Sequence, residues 1–95
     1  MPAKVELLHK TKLILNSGLV REIVIWKFPK NKHYPEGIKY RLILVDPVWK
    51  KILVLFDNHT KGREYLYHFI SVQLLVEDFL RLESIQEKQY ENNEN

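Results

Sequence analysis

The sequence predicts an α+β fold: an antiparallel meander of four to five strands, one C-terminal helix packed on the sheet, and a disordered acidic tail. Two observations carry that expectation. As far as Phe69, short apolar runs rich in β-branched and aromatic residues alternate with Gly, Pro, Asn and Asp turn signals, the pattern of strands. Behind Ser71 the apolar spacing changes to that of one helix face, three and four residues apart. At 95 residues without an internal repeat, the chain makes one domain. Its boundaries are set at residues 1–85, with a flexible polar tail over 86–95.

Val5 to Leu15 reads as the first strand, with Val5, Leu7, Leu13 and Leu15 alternating against Glu6, Lys10 and Lys12. His9 and Thr11 share the apolar face, where a packed, hydrogen-bonded histidine is the expectation. Asn16-Ser17-Gly18 is a turn. Leu19 to Phe28 follows as the second hairpin strand, apolar on both sides, so it belongs in the middle of the sheet, with Trp26 in the core. Pro29 to Ile38 carries two prolines and a glycine and forms a loop. Lys39 to Val45 is the third strand, and Asp46-Pro47-Val48-Trp49-Lys50 a turn suited by Pro47. Lys51 to Phe56 is the fourth strand, its apolar run from Ile52 marking a central strand buried on both faces, and Tyr65 to Phe69 reads as a short fifth strand.

Ser71 is a good helix N-cap. Val72, Leu75, Val76, Phe79 and Leu82 then form one apolar stripe. Glu83 falls in that stripe, which predicts that the helix has left the sheet by this point, with fraying from Gln86 onward. Leu74 lies on the far side of the helix.

Composition limits the function classes. A hydrophobic fraction of 45% with 28% charged residues is that of a soluble globular domain. No apolar run reaches the roughly 18 residues of a membrane span. Charged and apolar residues already alternate at the N-terminus, so no signal peptide is expected. The absence of cysteine removes disulfide and thiolate chemistry and suits a reducing, cytoplasmic setting. Up to His68 there are 13 Lys or Arg against 6 Asp or Glu, and beyond it 2 against 6. The strand region is therefore basic and the helix with its tail acidic. A basic face attracts phosphate backbones, while the plainer reading is a lysine-rich solvated surface.

No Gly-rich phosphate loop, paired-histidine metal spacing or Gly-x-Ser-x-Gly elbow occurs, so no cofactor and no metal are expected. What remains is acid–base chemistry between Asp57 and His68. Cleavage of RNA without a metal needs a base for the 2′-hydroxyl, an acid for the leaving oxygen and cations for the phosphorane. His59 can serve as base or acid, because histidine titrates near neutrality. Lys61 and Arg63 can stabilise charge in the transition state. Asp57 can orient His59 or cap the loop, Asn58 can donate to phosphate, and His68 is a second imidazole. The competing reading is that Asp57-Asn58 simply makes a turn. For nucleic-acid contact the candidates are Lys30, Lys32 and Tyr34 of the long loop, with Arg41, Lys61 and Arg63, since bases stack on aromatic rings. The plainer reading of that loop is a mobile basic connection.

Several segments in this order carry a family resemblance: Ile25-Trp26-Lys27-Phe28-Pro29, Lys39-Tyr40-Arg41-Leu42, Leu55-Phe56-Asp57-Asn58-His59-x-Lys61-Gly62, and Tyr67-x-Phe69-x-Ser71-Val72-x-x-Leu75-x-x-Asp78-Phe79. Together they resemble the TumE-type toxins of toxin–antitoxin pairs, over most of the chain up to about Leu82. The Asp-Asn-His-x-Lys-Gly segment is the most specific part. The family's His-x-His after Lys-Gly is replaced here by Arg63-Glu64-Tyr65. The resemblance implies the toxin half of a type II module that acts on RNA in ribonuclease fashion. Its partner would be a helix-turn-helix antitoxin covering the basic face. The alternatives are a non-catalytic nucleic-acid-binding module and a pure interaction protein, the latter pairing through a sheet edge or the Leu74 face, with itself as a homodimer or with another chain.

Overall fold

The computed structural model describes residues 4–58 and 68–92. Four strands form one antiparallel sheet in sequence order: β1 (Glu6–Ile14), β2 (Val20–Lys27), β3 (Ile38–Asp46) and β4 (Lys51–Asp57). A single helix, α1 (Val72–Asn92), lies across one face. The expected α+β meander with its C-terminal helix is the observed architecture. The described residues add no fifth strand: His68 and Phe69 are irregular, and 65–67 lie outside them. No helix among the described residues is long and apolar enough to cross a membrane.

The strand register sorts side chains onto two faces, because successive residues of a strand point to opposite sides. The helix-facing side of β2 carries Arg21, Ile23 and Ile25. They sit opposite Leu44, Leu42 and Tyr40 of β3, which in turn flank Val54 and Phe56 of β4. Leu75 and Phe79, fully buried, press into this layer, with the Phe79 ring edge-on to Phe56 at 5.9 Å. Each such burial contributes roughly 1.5–3 kcal/mol. The Ser71 hydroxyl accepts the Leu74 N–H at 3.2 Å and caps the helix as its side chain predicts.

Four expectations are corrected. β1 is exposed along its whole length, because it is an edge strand that the helix does not reach. An irregularity at Leu8 pairs Leu7 with Trp26 and His9 with Ile25. The extra residue turns Leu7 to the side away from the helix. His9 is exposed, and its Nε2 meets only the Thr11 hydroxyl, at 3.2 Å. Among the described residues β4 is the opposite edge rather than a central strand; its Ile52 is 54% exposed, and the central pair of the four strands is β2 and β3. Trp26 is not in the core: it is partly exposed on the face away from α1, beside Lys39.

The fourth correction concerns the helix end. Glu83 does not mark departure from the sheet; it is 4% exposed and accepts both a 2.8 Å hydrogen bond from Arg21 Nε and a second from Nη2. Farther along, the Tyr90 hydroxyl donates to Asp46 Oδ2 at 2.6 Å, and the Ser17 hydroxyl to Glu87 at 3.1 Å. These contacts hold α1 against the sheet well past Gln86, where composition alone predicts fraying. The helix continues to Asn92.

Candidate functional site

The end of the sheet where β2 gives way to β3 and where β4 finishes gathers the groups singled out in the sequence. Asn58 closes it from the side of β4. The Tyr40 N–H donates to its Oδ1 at 2.9 Å, its Nδ2 donates to the Ile38 carbonyl at 2.7 Å, and its own N–H reaches the Tyr40 carbonyl at 3.3 Å. The side-chain amide thus stands in for backbone and prolongs the β3–β4 ladder by one step. Asp57 is 9% exposed and accepts a 3.1 Å bond from Arg41 Nη1, directly opposite it in the register. Asp57-Asn58 is therefore an anchored strand end rather than a free turn. It fixes the point from which the following segment departs. His59, Lys61 and Arg63 lie outside the described residues.

Phe69 returns to this same end, its ring stacked on Tyr40 at 5.7 Å, and its neighbour His68 is exposed. The Tyr40 phenol is pushed above its ordinary range, first by burial and then by the carboxylates of Glu36 and Asp57, so it stays protonated and neutral at physiological pH.

The connection 28–37 completes the cluster, and it is tied down by hydrogen bonds. Asn31 Oδ1 accepts from the N–H groups of His33 and Tyr34, while its Nδ2 donates to the Pro29 carbonyl at 2.9 Å. This is the Asx geometry that asparagine favours in turns. The Phe28 N–H donates to the Gly37 carbonyl at 2.7 Å, and Gly37 holds φ at 72°. A Cβ there would stand 2.6 Å from the Phe28 carbonyl oxygen, so only glycine closes this loop. Tyr34 stacks on Phe28 at 5.6 Å, and Lys39 Nζ stands 6.0 Å from the Phe28 ring centroid. Lys30 and Lys32 are exposed.

The structure thus brings Asp57, Asn58, His68, Arg41 and the Lys30–Tyr34 loop to one end of the sheet. It also adds residues that the sequence reading did not assign to a site. The face away from α1 carries Lys10 and Lys12 of β1, Val24 and Trp26 of β2, and Lys39 of β3, by register. No described element packs on it. A shallow hollow of about 170 Å³ opens there among Val24, Trp26, Lys39, Tyr40 and Arg41. A parity signal was available in the sequence: counting by two from Glu22 leads through Val24 to Trp26, away from Ile23 and Ile25. At the far end the same face becomes apolar in the cross-strand row Ile14, Val20, Val45 and Ile52, beside a hairpin tip where Val48 and Trp49 are each 79% exposed.

Compared with known proteins, the chain matches no family model, no curated protein and no solved structure.

Proposed function

We propose that this protein acts on RNA as the toxin half of a toxin–antitoxin module, with ribonuclease-like chemistry in the segment that leaves Asn58 and a helix-turn-helix antitoxin as its partner. The observation that supports this reading is the convergence at one sheet end. The anchored Asp57-Asn58 exit, the exposed His68 and the ordered basic loop 28–37 come together there. A mobile phosphate-contacting loop would lose entropy on binding; an ordered one does so to a smaller extent. In this reading His59 and His68 supply the proton transfers, and Lys61 with Arg63 the counter-charge to the phosphorane. Asp57 and Asn58 fix the strand end from which that segment starts, because their own polar atoms are engaged with the sheet. Cytoplasmic action follows from such a substrate.

The test is induced expression of the wild type beside His59→Ala and Lys61→Ala, with growth and total RNA followed at matched protein levels. Asp57→Ala is unsuited to this purpose, since its carboxylate pairs with Arg41 inside the sheet. Growth arrest with RNA decay, relieved by His59→Ala, is the expected result. Unimpaired growth with every protein would overturn the toxin reading in favour of a non-catalytic nucleic-acid-binding or protein-interaction module.

A further inference from the structure

We infer that the sheet face opposite α1 is a seat for single-stranded RNA, with a base held against Trp26 and the sugar–phosphate chain running between two rows of cations. The inference deepens the RNA-directed reading above and rests on it for the choice of RNA.

The geometry is specific to this face. β2 contributes Val24 and Trp26 along its centre, and the strands on either side contribute the charge. Lys10 and Lys12 stand on β1, and Lys39 and Arg41 on β3. Neighbouring strands lie about 4.8 Å apart and alternate residues of one strand about 6.8 Å apart. Trp26 thus has Lys39 on one side and Leu7 on the other, and the next row places Val24 between Lys10 and Arg41, so an extended chain along β2 meets cations from both neighbouring strands. The hollow beside Trp26 and Val24, about 170 Å³, exceeds by several-fold the roughly 30 Å³ share of one water. Apolar floor with cationic rim is the composition that binds bases by stacking and phosphates by charge.

The ring favours a single strand, and the charge around it favours a polyanion. In a duplex the base faces are already stacked on each other, so a ring in the middle of a sheet cannot reach one. Single-stranded nucleic acid instead presents its base faces to aromatic platforms on sheets. The acids on this face are Glu22, opposite Lys12, and Asp57, already bonded to Arg41, which leaves Lys10 and Lys39, opposite Val24 and Trp26, as its electropositive positions. Lys39 also lies toward the sheet end where β4 finishes at Asp57 and Asn58 is bonded to Ile38 and Tyr40.

The experiment uses the full chain in a Trp49→Phe background, so that tryptophan emission reports Trp26 alone. Labelled single-stranded RNA of about twelve nucleotides and a matched RNA duplex are titrated by anisotropy at two salt concentrations, and emission is followed in parallel. Quenching by the single strand is expected, with weaker duplex binding. Trp26→Ala should weaken binding about 5- to 150-fold, the range for loss of one stacked base, and Trp26→Phe should retain most of it. Lys10→Ala, at an exposed position, and Lys39→Ala, checked for folding by circular dichroism because its Nζ stands over the Phe28 ring, should each lower the slope of log affinity against log salt by about 0.7. Unchanged affinity in Trp26→Ala and in both lysine variants would overturn the inference, as would tighter binding to the duplex. Failure of the wild type to bind RNA would overturn it too and leave the face to an acidic protein partner. RNA decay in cells with these variants still active defeats the seat but not the toxin reading. RNA binding that needs Trp26 without any decay defeats the toxin reading but not the seat.

Discussion

Removing the Glu83 carboxylate is the sharpest test of how α1 is held. Glu83 is 4% exposed and bonds Arg21 through both of its oxygens, while the Arg21 side chain is 23% exposed. Breaking a fully buried ion pair costs about 3–5 kcal/mol, because the remaining charge is left without a partner. In Glu83→Ala that remaining charge is Arg21, which keeps part of its hydration, so the cost falls to about 2–3 kcal/mol. In Arg21→Ala it is a carboxylate whose side chain is 5% exposed, and the full figure of about 3–5 kcal/mol applies. Urea denaturation monitored by circular dichroism measures both. For a chain of this size each kcal/mol also lowers Tm by about 4–8 °C. Replacing both residues by leucine should recover most of the loss, since a packed apolar pair dispenses with desolvation. The reasoning is refuted if either single variant stays within about 0.5 kcal/mol of wild type, or if Glu83→Ala proves the more damaging of the two.

Two further outcomes follow from local geometry. Gly37→Ala should destabilise by at least about 1–2 kcal/mol, the cost of a left-handed backbone for an L-residue, with more from the 2.6 Å approach to the Phe28 carbonyl; an unchanged urea midpoint would contradict this. Tyr90→Phe should flatten stability against pH at both ends. The Tyr90 hydrogen bond holds the Asp46 carboxyl below its usual range and Asp46 raises the Tyr90 phenol. The Asp46 contribution is therefore present above the ordinary carboxylate range and lost as pH falls through the lowered value. The Tyr90 contribution is present below about 10 and lost as pH rises through the raised value. Melting temperatures across the pH range read both limbs, and a variant whose profile parallels wild type would show that this bond does not tie the helix end to the β3–β4 turn.

Much of the architecture was legible in the sequence because its causes are local. The period of two through β2 and β3, Ser71 as a cap and the stripe from Val72 to Leu82 each follow from the conformational preferences of a few neighbouring residues. The candidate cluster was legible only as two separate polar stretches, around Asp57 and around Lys30. Their meeting depends on the β3–β4 pairing that joins Asn58 to Ile38 and Tyr40.

The errors share one origin. An apolar run does not say which strand is outermost, so β4 reads as central although nothing pairs beyond it among the described residues. A single extra residue at Leu8 changes which face Leu7 joins, and no periodicity announces a bulge in advance. Glu83 and Tyr90 read as the end of a helix because their partners, Arg21 and Asp46, lie 62 and 44 positions away in the chain. Sequence by itself determined the elements and their order, since those rest on short-range sterics and hydrogen bonding. Tertiary structure decided which face of the sheet the helix covers, and with it that Trp26 and the lysines beside it stand on the other.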